Sequence, residues 1–101
     1  MTKQVPTSYA VNTTTTVSST ALTMTALGFS AAQLAVANQI TLTVTGDAVR
    51  YRYDGVAPTA TVGNYLSANA TPLVIEGNAD IKRFQIIRVT TDAELLMSME
   101  K

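Results

Sequence analysis

The clearest pattern in the chain is an alternation of apolar and polar residues near its middle. Residues 39–45 alternate three aliphatic side chains with threonines, which places the apolar side chains on one face of a strand. Residues 48–54 alternate again, after the turn-forming pair Gly46-Asp47. Two alternating runs joined by a short turn predict a β-hairpin, with each run as one strand.

Four other segments also have strand character. Residues 9–19 are rich in β-branched residues and include four consecutive threonines, and residues 71–76, 85–90 and 93–99 are short aliphatic runs that end at turn residues. Short strands with regularly spaced turns are typical of sandwiches and barrels. The sequence therefore predicts one all-β domain over residues 1–101, a small antiparallel β-sandwich or jelly-roll-like domain with one or two short helical turns.

Two short segments favour helix. Ser30 and Gln33 have the spacing of a capping box, which predicts a short helix over residues 31–36, with a packed loop as the alternative. The later segment NADIKRF allows one helical turn, and Asn78 or Asp80 is its expected cap. Both helices are too short to change the fold class.

The N-terminal segment is expected to be an arm. Residues 1–8 are polar and contain Pro6, which predicts a flexible arm. The following residues 9–19 have a flat threonine pattern that specifies their strand register weakly. They could pair within their own sheet, or add as a strand to a neighbouring subunit, and in that second case the arm extends to residue 19.

The composition argues against an enzyme. The chain has no cysteine and no histidine, so it lacks the usual thiolate nucleophile, the commonest general base and the commonest metal ligands. The seven carboxylates form no obvious pair along the sequence. We therefore expect no catalytic residues, no metal site and no cofactor.

The charge pattern bears on partners. Seven basic and seven acidic residues give a net charge of zero, whereas nucleic-acid binders usually carry a basic excess, so no nucleic acid is expected. The longest apolar stretch is interrupted by polar residues and does not predict a membrane span. Only 14% of the residues are charged and many are threonine, which fits either a protein packed against neighbours or simply a strand-rich fold.

The run from 50 to 53 alternates arginine with tyrosine. On a strand this alternation puts Arg50 and Arg52 on one face and Tyr51 and Tyr53 on the other. We expect the tyrosines to be buried and the arginines to be exposed, where they pair with carboxylates or with a neighbouring subunit. The candidate interface residues are thus Tyr9, Thr13, Thr14, Thr15, Thr16, Arg50, Arg52, Lys82 and Arg83. By contrast, Met97 and Met99 lie on one strand face and are expected in the core.

A structured corner follows this strand. Asp54-Gly55 favours a turn with positive φ at the glycine, and Pro58 removes a backbone donor, so the chain has left the sheet there. Thr59 or Thr61 can hydrogen-bond back across the loop, and Gly63 allows a second reversal. The corner is explained by its own structure, without a ligand.

The same corner carries a family resemblance. Arg50-Tyr51-x-x-Asp54-Gly55-x-x-Pro58-Thr59, followed by an Ile-x-x-Phe turn at residues 81–84 and an Ile-Arg strand at 87–88, resembles a group of small virion proteins of tailed bacteriophages. The resemblance covers most of residues 28–100. It is a pattern of strands and turns rather than a motif with a mechanism.

The resemblance implies a non-enzymatic structural protein of a phage particle. The expected role is capsid decoration (cement), in which the protein binds and stabilises the capsid lattice; a fibre or tail protein is the alternative. The implied partner is the major capsid protein or another virion protein, and the implied assembly is a homo-oligomer, a trimer first and a dimer second. The expected location is the virion, after synthesis in the host cytoplasm.

One alternative comes from another class of protein. The Asp-Gly-x-x-Pro-Thr corner also resembles corners of immunoglobulin-like carbohydrate-binding modules. Such a module needs exposed aromatic side chains in a row, and the chain has four tyrosines and no tryptophan. Glycan pulldown or array binding by the isolated domain would separate such a module from a capsid cement protein.

Overall fold

The computed structural model describes the backbone of residues 10–100 and the side chains of residues 14–100. The arm predicted at residues 1–8, Tyr9 and the side chain of Thr13 lie outside the described parts. The strands are β1 Ala10–Val17, β2 Leu22–Thr23, β3 Gln39–Thr45, β4 Val49–Arg52, β5 Asn64–Leu66, β6 Leu73–Glu76, β7 Gln85–Arg88 and β8 Ala93–Glu100; the helices are α1 Ala31–Val36 and α2 Asn78–Arg83.

The strands form two antiparallel sheets of four. The order is β1-β8-β3-β6 in the first sheet and β2-β7-β4-β5 in the second. This arrangement confirms the predicted all-β class and is consistent with a small β-sandwich. A single core draws on the inward faces of both sheets, with Leu95 and Met97 from the first and Val49 and Ile86 from the second.

Strand β8 shows how the alternation builds that core. Its inward residues Ala93, Leu95, Met97 and Met99 are fully buried, whereas their neighbours in sequence face outward. The predicted core position of both methionines is confirmed. Because β8 pairs with β1 on one side and with β3 on the other, it organises the whole first sheet.

The hairpin predicted over residues 39–54 is wrong. Strand β3 pairs with β6 and β8 in the first sheet, whereas β4 pairs with β5 and β7 in the second. All seven residues of β3 find partners on β8, while β4 offers only four residues. The chain therefore crosses between the sheets at residues 46–48 instead of folding back on itself.

A carboxylate fixes this crossing. Asp47 accepts hydrogen bonds from the backbone N–H groups of Thr90 and Thr91, at 3.0 and 2.6 Å, in the segment where the chain crosses back from β7 to β8. These bonds, led by the one from Thr91, lower the pKa of Asp47 below its usual value of 3.8. The two crossings are thus tied together at one end of the sandwich.

Helix α1 has the bounds and the cap that the sequence predicts. The Ser30 hydroxyl accepts a hydrogen bond from the backbone of Gln33, and the Gln33 side chain accepts one from the backbone of Ser30. The predicted cap of α2 is wrong, because its N-cap is Gly77 and makes no side-chain bond. Asn78 instead donates to the carbonyls of Leu34 and Ala37, both at 2.8 Å, and so joins the two helices.

Strand β1 settles how the threonine-rich segment pairs. All eight of its residues pair with β8 of the same subunit, from Ala10 opposite Glu100 to Val17 opposite Ala93. Of the two alternatives for this segment, the structure has the pairing within the subunit. Since β1 ends the strand order of its sheet, its other side pairs with no strand of residues 10–100.

Candidate interaction surfaces

The outer side of the first sheet is a surface of threonines. Because successive side chains alternate between the faces, the buried residues of β3 and β8 place their neighbours outward. We call this surface the threonine face; it consists of Thr14 and Thr16 on β1, Glu94, Leu96 and Ser98 on β8, Thr41, Thr43 and Thr45 on β3, and Val74 on β6.

The centre of the threonine face is uncharged and has an exposed leucine. Leu96 is 50% exposed and lies between Thr14 and Thr43, its register partners on the two flanking strands. Carboxylates lie towards the ends of β8, where Glu94 accepts a 2.7 Å hydrogen bond from the Thr16 hydroxyl. A face exposed only to solvent usually carries more charge, so this centre is suited to contact with another surface.

The outer side of the second sheet is built differently, around two arginines. Val49 and Ile86 are buried, so Arg50 and Arg52 project outward from β4. Arg50 donates to the carbonyls of Ala60 and Gly63, at 3.0 and 3.1 Å. These bonds fold the loop of residues 53–63 back over the sheet. We call this surface the arginine corner; it comprises residues 50–65.

A carboxylate holds the second arginine. Asp54 accepts hydrogen bonds from Arg52 at 3.1 and 2.5 Å and another from the N–H of Val56. The hydrogen bond from Arg52 is the main cause that lowers the pKa of Asp54 from 3.8 to about 2. The expected exposed pairing of Arg52 with a carboxylate is therefore what the structure has, whereas Arg50 binds backbone carbonyls instead.

The residues predicted to form the corner have the backbone conformations and hydrogen bonds expected of them. Gly55 and Gly63 have φ values of 87° and 139°, which disfavour any residue with a Cβ. Thr59 accepts hydrogen bonds from the N–H groups of Thr61 and Val62, and Pro58 is buried. A Cβ on Gly63 would also lie 3.2 Å from the Cβ atoms of both Arg50 and Pro58. The loop is thus closed by its own hydrogen bonds and by close packing at Gly63.

Burial was expected for both Tyr51 and Tyr53, and the expectation is wrong for Tyr53. Tyr51 is partly buried and stacks on Phe84 with ring centroids 5.7 Å apart, but Tyr53 is 43% exposed and stacks only on the outer side of Tyr51. The strand ends at Arg52, so Tyr53 no longer follows its alternation. It borders an open depression of about 410 Å³, which is lined by Arg52, Tyr53, Asp54, Gly63 and Asn64.

A second exposed tyrosine lies nearby on β5. Tyr65 is 57% exposed and is paired in register with Arg50, whose guanidinium lies 5.2 Å from the centre of its ring. One face of each tyrosine ring is therefore occupied, that of Tyr53 by Tyr51 and that of Tyr65 by Arg50. Two aromatic side chains thus remain accessible at the arginine corner.

The structure separates the predicted interface residues into groups. Thr14 and Thr16 belong to the threonine face, whereas the Thr15 hydroxyl points away from it and donates to the carbonyl of Leu27. Arg83 pairs with Asp80 at 2.8 Å and lies beside Gly55, at the border of the arginine corner. Lys82 is exposed on α2.

Sequence reasoning missed two residues of these surfaces and one residue that ties the crossings between the sheets. The outward position of Leu96 follows from the alternation that put Met97 in the core, so that signal was present. Tyr65 was missed because β5 has only three residues, too few for a periodic pattern. Asp47 was missed because its partners are more than 40 residues away in sequence.

Within residues 10–100 no three carboxylate side chains come close enough together to hold a metal ion. No helix in that range has the length and hydrophobicity needed to span a membrane.

In comparisons with protein-family models, curated proteins and solved structures, nothing matches this chain significantly.

Proposed function

We propose that this protein is a non-enzymatic structural component of a bacteriophage particle, a capsid decoration protein that binds the major capsid protein. The observation that supports the proposal is the uncharged centre of the threonine face, where Leu96 stands exposed between Thr14 and Thr43. An uncharged and hydroxyl-rich face with an exposed leucine at its centre is suited to lasting contact with a protein lattice. The phage resemblance of the sequence points to the same role.

The attachment is expected to depend on burial rather than on charge. Arg52 and Arg83 already pair with carboxylates of the same chain, and Arg50 is held by two carbonyls. Salt of about 0.5 M, where the Debye length falls to a few Å, should therefore leave particle binding nearly unchanged. Loss of binding at that salt would instead assign the contact to the arginine corner.

Quantitative mass spectrometry of purified phage particles tests the role itself. A copy number close to that of the major capsid protein is the expected result for a decoration protein. A copy number of only a few per particle would replace decoration by the fibre or tail alternative. If the protein is present in the cells that produce the phage but absent from the purified particles, the proposal is overturned.

The arginine corner supports a second candidate, carbohydrate binding. Tyr53 and Tyr65 are both exposed, and the depression beside Tyr53 has the side chains of Arg52, Asp54 and Asn64 to bind hydroxyl groups. Stacking on a tyrosine together with polar contacts is a common way to hold a sugar ring. A glycan array probed with the isolated protein tests this candidate, with the Tyr53→Ala and Tyr65→Ala variants for specificity and Val56→Ala as the exposed apolar control.

A further inference from the structure

The four sheet edges of the molecule differ greatly in length. In the second sheet the edge strands β2 and β5 have two and three residues, and in the first sheet the edge strand β6 has four. The remaining edge strand, β1, has eight. A long edge strand presents a row of backbone donors and acceptors to any other strand that can reach it.

The β1 edge also lacks the features that usually block such pairing. Proteins protect their edge strands with charged residues, proline or short length. Strand β6 has Pro72 immediately before it and ends at Glu76, whereas Ala10–Val17 contains neither a charged residue nor a proline. The edge that is longest is therefore also the one with the least protection against another strand.

We infer that β1 pairs with β1 of a second copy of this chain. The two strands run antiparallel about a two-fold axis at Thr14, and the two first sheets join into one continuous sheet. This axis is normal to the sheet. It pairs residues 11–17 of one copy with residues 17–11 of the other, so that Thr14 lies opposite Thr14 of the second copy. This inference extends beyond the proposed role in a virion and does not depend on it.

Length and charge both select a second copy as the occupant. Among the strands of residues 10–100 only β8 is as long as β1, and β8 already pairs on both sides. The edge that matches β1 in length is therefore another β1. Because the strand is uncharged, a two-fold axis brings no like charges together, and threonine pairs across antiparallel strands are favourable.

Two lysine variants, matched around Leu96, test the inference. Thr14 and Thr43 are the two register partners of Leu96, but Thr14 lies on the edge strand and Thr43 on the internal strand β3. Thr14→Lys places two ammonium groups opposite each other across the axis, whereas Thr43→Lys adds the same charge away from it. Sedimentation velocity of both variants and of the original protein measures the dissociation constant.

The expected result is a dimer of the 10.7 kDa chain that Thr14→Lys weakens by about tenfold or more and Thr43→Lys leaves intact. A monomer at about 100 µM, well above the micromolar range of weak specific association, would overturn the inference. So would a dimer that both variants leave unchanged, or one that both variants weaken equally.

A cysteine variant keeps the test decisive if Thr14→Lys does not fold. The chain has no cysteine, so Thr14→Cys introduces a single thiol whose counterpart lies directly across the axis. Mild oxidation should give a disulfide-linked dimer with Thr14→Cys and none with Thr43→Cys. Removal of residues 1–9 should leave this cross-link in place. Failure of Thr14→Cys to cross-link, or loss of the cross-link without residues 1–9, would contradict the direct pairing of the two edges.

Discussion

The threonine face and the arginine corner belong to the outer sides of the two sheets and are built in opposite ways. The threonine face rests on three long strands, and the side chains of β3 and β8 alternate between the two faces along each strand. The arginine corner rests on strands of three and four residues, and its loop is held by side-chain bonds to backbone carbonyls. The first surface has an uncharged centre, whereas the second is formed largely by a loop and its arginines are already bound within the chain.

This difference suggests separate roles for the two surfaces. A sheet face with an uncharged centre can bind a large partner without leaving charges unpaired. A corner whose arginines are occupied within the chain gains little from a charged partner, but it presents two tyrosine rings to small ligands. The predictions below test the comparison, beginning with the largest expected effect.

The first prediction separates the two sides of the first sheet. Leu95 is fully buried and Leu96 is 50% exposed, although they are neighbours on β8. Leu95→Ala should lower the free energy of unfolding by about 2–5 kcal/mol, the range for a buried leucine. Leu96→Ala should change it by less than about 0.5 kcal/mol. Equal losses in chemical denaturation would mean that Leu96 is part of the core.

The second prediction concerns the tyrosines of the second sheet. Tyr51 is partly buried against Phe84, so Tyr51→Ala should lower the free energy of unfolding by between about 1 and 3 kcal/mol. Tyr53 is more exposed, and Tyr53→Ala should have the smaller effect. A larger loss with Tyr53→Ala would show that the alternation of β4 continues through residue 53.

The third prediction tests the packing of the corner. Gly63 combines a positive φ with close neighbours, whereas Gly77 has a positive φ and nothing within 4 Å of an added Cβ. Gly63→Ala should therefore cost up to about 3 kcal/mol, and Gly77→Ala about 1 kcal/mol from its backbone conformation alone. Thermal unfolding of the two variants measures the difference. Equal losses of stability would mean that the neighbours of Gly63 move aside to accommodate the added Cβ.

The fourth prediction is the smallest and uses pH. The folded-state pKa of Asp54 is about 2, below its usual 3.8, so this carboxylate stabilises the corner above pH 3.8. That contribution should be lost as the pH falls from about 4 towards 2. The amide chemical shift of Val56, which donates to Asp54, should follow this change, and Asp54→Asn should abolish the response. A midpoint near 3.8 would show that the pair with Arg52 does not persist in solution.

The sequence predicts the regular parts of the molecule well and the sheet partners poorly. Alternation identified β3 and the buried methionines of β8, and the Ser30–Gln33 spacing identified α1, because those signals are local. The hairpin was wrong because alternation fixes which face is buried but does not choose the partner strand.

The candidate surfaces show the same limit. The corner residues Gly55, Pro58 and Gly63 could be predicted because their backbone preferences are local. Tyr53 could not be placed, since its exposure depends on where β4 ends. The threonine face exists as a surface only because β1 and β3 both pair with β8, an arrangement that no local pattern specifies.

Binding of the purified protein to phage particles that lack it tests the central claim most directly. Thr43→Lys places a charge at the centre of the threonine face, and Thr25→Lys places the same charge on an exposed residue outside it. Co-sedimentation should show that the original protein and Thr25→Lys bind particles equally and that Thr43→Lys binds at least about tenfold more weakly, a difference of about 1.4 kcal/mol. Equal binding by both variants, or no binding by the original protein, would contradict attachment through the threonine face.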